Sequence, residues 1–103
     1  LLLETSIAGF QFYEGERLFN HIKINDTVRL HRVPENQYDK RAVEVYWQGN
    51  MLGHIPKAEN MSLYQMLDNG IPLDAKVSRL MAEKIPYYCV GLVVYLGSEQ
   101  GNA

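Results

Sequence analysis

The stretch Ala42-Val43-Glu44-Val45-Tyr46-Trp47-Gln48-Gly49-Asn50-Met51-Leu52-Gly53-His54-Ile55 decides how the fold is read. Val43, Val45 and Trp47 alternate with Glu44 and Tyr46, the period-two pattern of a strand with one face in a core. Gln48-Gly49-Asn50 has the chemistry of a tight hairpin turn, so Met51 to Ile55 is expected to return antiparallel to the first strand.

Outward from this hairpin the pattern stays mostly β. Upstream, Val28-Arg29-Leu30-His31-Arg32-Val33 alternates, with Val28 and Leu30 on one face, and Pro34 stops it. Earlier still, Leu3 to Phe10 reads as a first strand with a kink or close approach at Gly9, and Phe10 and Phe12 are expected to share a face. Between them, Glu14 to His21 carries acids where a helix N-terminus favours them and apolar Leu18, Phe19 and Ile22 within one turn, which predicts a short helix.

Downstream, Pro56 suits the first position of a helix. From Ala58 the apolar residues Met61, Leu63, Tyr64, Met66 and Leu67 recur at near-helical spacing until Asn69-Gly70, where glycine ends the helix. Leu73, Ala75 and Val77 alternate as a strand, and after Pro86 the run Tyr87 to Leu96 reads as a last strand buried on both faces. About six short strands and two helices favour a closed or nearly closed barrel, because closure removes edges that invite aggregation. The expected fold is mainly β with two helices, of α+β class: a small OB-like or SH3-like barrel over residues 1–97, followed by a flexible tail at 98–103.

Composition narrows the function. The chain has 103 residues, 47% of them hydrophobic, enough for one independently folding core. Its single cysteine, Cys89, has no intramolecular disulfide partner and no second thiol for a zinc site, and it sits in an apolar run where a thiol is expected to be inert core. The start, Leu1-Leu2-Leu3-Glu4, is too short an apolar run for a signal-peptide core or a membrane span, so a soluble cytoplasmic protein is expected. A formal charge of −2 means that any binding to phosphate backbones must be local rather than a property of the whole surface.

Catalytic signatures are missing. None of the eight glycines precedes a lysine, so there is no phosphate-binding loop for ATP. His21, His31 and His54 lack partners at ligand spacing, no Gly-x-Ser-x-Gly elbow occurs, and no metal or cofactor is expected.

Two aromatic and polar clusters remain, Gly9-Phe10-Gln11-Phe12-Tyr13-Glu14-Gly15 and Asn36-Gln37-Tyr38-Asp39-Lys40-Arg41, each at a junction between elements, where binding residues concentrate. Single-stranded nucleic acid is held by aromatic faces and cations, and Tyr38 beside Lys40 and Arg41 matches that recipe. The same residues also fit a purely architectural role: Tyr38 covering the barrel end, Asp39 capping the turn, the cations solvated, and Phe10, Phe12 and Tyr13 packing inward. His54 and Lys57 flank the start of the second helix, where amide donors and a positive dipole end favour a phosphate.

Three segments, Ala8 to Gly15, Pro34 to Val45 and Leu52-Gly53-His54-Ile55-Pro56-Lys57, resemble the HIRAN domain in order and spacing, over roughly Ile7 to Leu96. The resemblance implies an OB-like barrel of the stand-alone bacterial kind, free of catalysis, that takes part in DNA repair or processing. It further implies recognition of single-stranded DNA at a free 3′-hydroxyl end. By position, Tyr38 would stack on the terminal base and Asp39 would accept a hydrogen bond from the 3′-hydroxyl. Phe12 and Tyr13 would line the pocket, Asn36 would shape the loop or bond a base edge, and His54 with Lys57 would face phosphates.

The chain departs from that pattern with Gln11 in place of an arginine, Glu35 in place of an asparagine and Phe12 in place of a tyrosine, changes that weaken phosphate or polar contacts. Arg79 is a candidate source of the missing charge. Two rival functions use the same residues: a peptide-binding module whose partner occupies the Tyr38 pocket or a barrel edge, and a nuclease accessory with Asp39 and Glu44 near a metal.

Overall fold

The computed structural model describes residues 1–97, and the tail expected at 98–103 lies outside them. Six strands run β1 (Leu3–Ser6), β2 (Thr27–Arg32), β3 (Val43–Trp47), β4 (Asn50–His54), β5 (Leu73–Leu80) and β6 (Val90–Leu96). Two short α-helices, α1 (Gly15–Leu18) and α2 (Met61–Asp68), connect β1 to β2 and β4 to β5. All pairings are antiparallel, in the order β1-β6-β5-β2-β3-β4. The sheet curls into an OB-like small barrel.

The hairpin that decided the reading forms as expected. Val43 and Val45 are fully buried and Trp47 nearly so. The turn takes positive φ at Gln48 (49°) and Gly49 (80°), the primed geometry whose twist matches that of paired strands. The Trp47 indole Nε1 donates to Asp26 Oδ2 at 2.9 Å, which ties the hairpin to the turn before β2. Leu52, Ile55, Leu63, Val77, Val90, Leu92 and Val94 complete a single core, each buried side chain contributing about 1.5–3 kcal/mol. Cys89 lies in this core, 1% exposed, as its sequence context indicated.

One pair of hydrogen bonds closes the barrel. Beyond β1 the chain crosses toward β4, where Ala8 N donates to His54 O (2.8 Å) and His54 N donates to Ala8 O (2.9 Å). Gly53 makes that approach possible: its φ is +149°, and a Cβ there would overlap the Ala8 carbonyl oxygen and the Ile7 side chain.

Four expectations are corrected. β1 ends at Ser6, not Phe10; after the Ala8 bridge, Gly9 adopts φ 73° and the chain winds into a 3₁₀ turn at Phe10–Phe12. In that turn alternate residues point apart, so Phe10 is buried (1% exposed) and Phe12 projects outward (75%) instead of sharing its face. The last strand begins at Val90 and not Tyr87, because Tyr88 takes a left-handed φ of 59° and both tyrosines turn to solvent. Pro56 opens no α-helix: a 3₁₀ turn at Lys57–Glu59 intervenes, and α2 starts at Met61.

Candidate functional site

The loop between β2 and β3 is built by two of its own side chains. Asn36 Oδ1 accepts from the main-chain N–H of Tyr38 (2.8 Å) and of Asp39 (2.9 Å), the local turn that asparagine forms best. Asp39 Oδ1 then accepts from Arg41 N at 2.9 Å, so the carboxylate does cap the turn. None of these bonds uses the Tyr38 ring, which stands 82% exposed and does not cover the barrel end.

The other oxygen of Asp39, Oδ2, accepts from Asn60 Nδ2 at 2.9 Å. Asn60 is wholly buried, and its Oδ1 has no partner. Partial burial works to raise the Asp39 carboxyl, but the Arg41 N–H, the Asn60 amide and the charges of Lys57 and Arg41 outweigh it and hold the group below its ordinary value. Asp39 is therefore an ionised acceptor at neutral pH, fixed in orientation and still only half buried.

Around this loop lies an open cavity of about 380 Å³. Phe12 and Tyr13 reach it from the 3₁₀ turn after β1, Asn36, Tyr38 and Asp39 from the β2–β3 loop, and His54 and Lys57 from the end of β4 and just beyond. The Tyr13 and His54 rings meet edge to face, with centroids 5.7 Å apart. Burial pushes the His54 imidazole below its ordinary value, against the pull of Glu44 and Asp39. The Lys57 ammonium reaches the Tyr38 carbonyl at 3.5 Å, which leaves most of its donor capacity free for a ligand.

Seven of the eight candidate residues thus converge on one cavity. Gln11 does not join them; it lines a smaller neighbouring cleft with Pro86, Tyr87 and Tyr88, and Ala8 and Gly9 form the wall common to both. Sequence reasoning missed Asn60 and the two tyrosines. An asparagine directly before a helix signals a cap, yet the Asn60 side chain makes no cap bond and is directed to Asp39 instead. Tyr87 and Tyr88, 60% and 68% exposed, were concealed inside what looked like a continuous apolar strand.

A nearly closed β-barrel whose seam opens into an aromatic cavity with one fixed carboxylate has the form of a small binding module. The chain belongs to the HIRAN family: the model described as HIRAN domain matches residues 1–95. Among curated proteins it is similar to the helicase-like transcription factors of Homo sapiens (34% identical over 68 residues) and Mus musculus (31% over 68 residues). Each match covers 65% of this chain and only 6% of the relative's length.

Among solved structures, the HIRAN domain of human HLTF superposes with a TM-score of 0.70 at 26% identity, covering 95% of this chain and 77% of that one. The crystal structure of a protein from Lactobacillus plantarum superposes with a TM-score of 0.79 at 22% identity, covering 88% and 87%, and shares the fold. No helix among the described residues is long and apolar enough to cross a membrane.

Proposed function

We propose that this domain is a non-catalytic DNA-binding module that holds a free 3′-hydroxyl end of single-stranded DNA and serves DNA repair or processing. Family membership supports the DNA-binding role. The observation that carries the finer reading is the pairing of an exposed ring, Tyr38, with an ionised and pre-oriented carboxylate, Asp39, on the wall of one cavity. A base stacks on the ring, and the terminal hydroxyl donates to the carboxylate, whose oxygens each retain acceptor capacity after their single protein bond.

The same carboxylate gives the selectivity. A 3′-phosphate brings negative charge against an oxygen already ionised, and a continuing strand brings no hydroxyl proton to donate; both leave Asp39 without its bond. Lys57 provides the cationic side of the cavity, His54 a neutral imidazole for hydrogen bonding, and Phe12 and Tyr13 its apolar side. Fluorescence anisotropy with oligonucleotides ending in 3′-hydroxyl or 3′-phosphate tests the reading, and equal affinity for the two overturns it.

A second reading, a pocket for a peptide, draws on the modest positive charge at the site: Lys57 is the one Lys or Arg lining the cavity among the described residues. A protein partner that co-purifies free of nucleic acid, with the oligonucleotides failing to bind, favours that reading. Among the described residues no group of three or more His, Cys, Asp or Glu side chains is placed to hold a metal ion, so a metal-dependent reaction at Asp39 and Glu44 has no geometric support.

A further inference from the structure

The end cavity does not stand alone. Ala8 and Gly9 separate it from the cleft lined by Gln11, Tyr87 and Tyr88, and Tyr88 in turn separates that cleft from a third depression of about 440 Å³ beside β1. Among the described residues the only Lys or Arg side chains on these three walls are Lys57, in the first, and Arg79, in the third. The middle cleft holds Gln11 and carries no fixed charge.

Arg79 sits in an unusual state for a guanidinium. Its Nη2 donates to Ser6 Oγ (2.6 Å) and to the Tyr88 carbonyl (3.3 Å), while its buried Nε has no partner. Glu4 and Glu59 line the same depression, yet neither forms an ion pair with Arg79, and the Glu59 carboxylate accepts from the Thr5 hydroxyl instead. Gly91 lies directly beneath the guanidinium, where a Cβ would come within 2.9 Å of Nη1, so the group occupies space that only a glycine leaves. The Nη1 hydrogens have no protein partner, and a guanidinium that no carboxylate pairs with directly can donate them to an incoming oxyanion.

We infer that Arg79 holds an internal phosphate of the same strand whose end occupies the Tyr38–Asp39 cavity, with the strand crossing Ala8–Gly9 and passing Tyr88 to reach it. This rests on the end-binding reading and adds to it a direction of travel and a minimum length. The strand leaves the end cavity toward β1, and a dinucleotide is too short to gain from Arg79.

The test replaces single phosphates in a 3′-hydroxyl oligonucleotide with neutral methylphosphonates, one linkage at a time, and measures anisotropy with the unaltered protein and with Arg79→Met. Beyond the terminal dinucleotide, one internal linkage is expected to lose about tenfold in affinity when neutralised, the scale of one hydrogen bond to a charged group. That loss disappears in Arg79→Met, whose salt slope is shallower by about 0.7. Dinucleotide binding and the preference for 3′-hydroxyl stay unchanged, and Arg79→Lys recovers part of the loss.

An even response across all linkages overturns the inference, as does an equal loss for dinucleotide and longer strand in a variant whose melting is unaltered. If Arg79→Met does not fold, the linkage scan on the unaltered protein decides alone. A single sensitive linkage without any 3′-hydroxyl preference overturns the end reading and leaves the Arg79 contact standing. Absence of binding to every oligonucleotide overturns both.

Discussion

Replacing Tyr38 with alanine separates binding from folding more cleanly than any other change at the site. The ring is 82% exposed, and the hydrogen bonds of this residue are through its main chain, N donating to Asn36 Oδ1 and O accepting from Lys57 Nζ. Truncation therefore opens no cavity and leaves no polar group unpaired, and folding stability should move by less than about 0.5 kcal/mol. Binding is another matter, because one aromatic stacking face is worth about 1–3 kcal/mol, a loss of roughly fivefold to 150-fold in affinity. Anisotropy with a 3′-hydroxyl oligonucleotide reads the loss, thermal melting reads the fold, and Tyr38→Trp should restore most of the affinity by supplying another flat face. Unchanged affinity in Tyr38→Ala with an unchanged melt would refute the stacking argument.

Asp39→Asn should keep the fold, because Asn60 Oδ1 is unpartnered and can accept from the new amide. It should narrow the ratio of 3′-hydroxyl to 3′-phosphate affinity toward one, measured by anisotropy, since the selecting charge is gone. Gly53→Ala should destabilise the fold by at least about 2 kcal/mol in urea unfolding, from the left-handed φ and the overlap with Ala8 together. His54 has a folded value below the ordinary 6.5, so its contribution to stability is complete above that pH and is lost as pH falls through the folded value. Melting between pH 7.5 and 5 should show this decline, and His54→Gln should flatten it.

The parts of this molecule that were legible in the sequence are those in which one pattern had one meaning. The Val43–His54 hairpin announced itself through alternation and a turn tripeptide, and the Asn36-Tyr38-Asp39 loop through side chains that bond their own neighbours. Phe10-Gln11-Phe12 was misread because alternate aromatics are also what a 3₁₀ turn displays, one in the core and one in solvent. The cue that settled the matter, Ala8 reaching across to His54, lies 46 positions away in the chain. The Asn60 partnership with Asp39 was hidden for the same reason, with 21 residues between them. Tyr87 and Tyr88 were absorbed into a strand because their apolar rings continue its composition, while the left-handed Tyr88 backbone that expels them leaves no compositional trace.

The seam of the barrel has a thermodynamic consequence. Ala8 and His54, whose two hydrogen bonds join the ends of the sheet, are also walls of the cavity. An occupant that touches both sides acts as a clasp across the join, and its binding free energy is added to whatever resists the barrel springing open. Local unzipping at that join should therefore be slowed by ligand more than opening elsewhere, and amide exchange at Ala8 and His54 would register occupancy before any global change in melting.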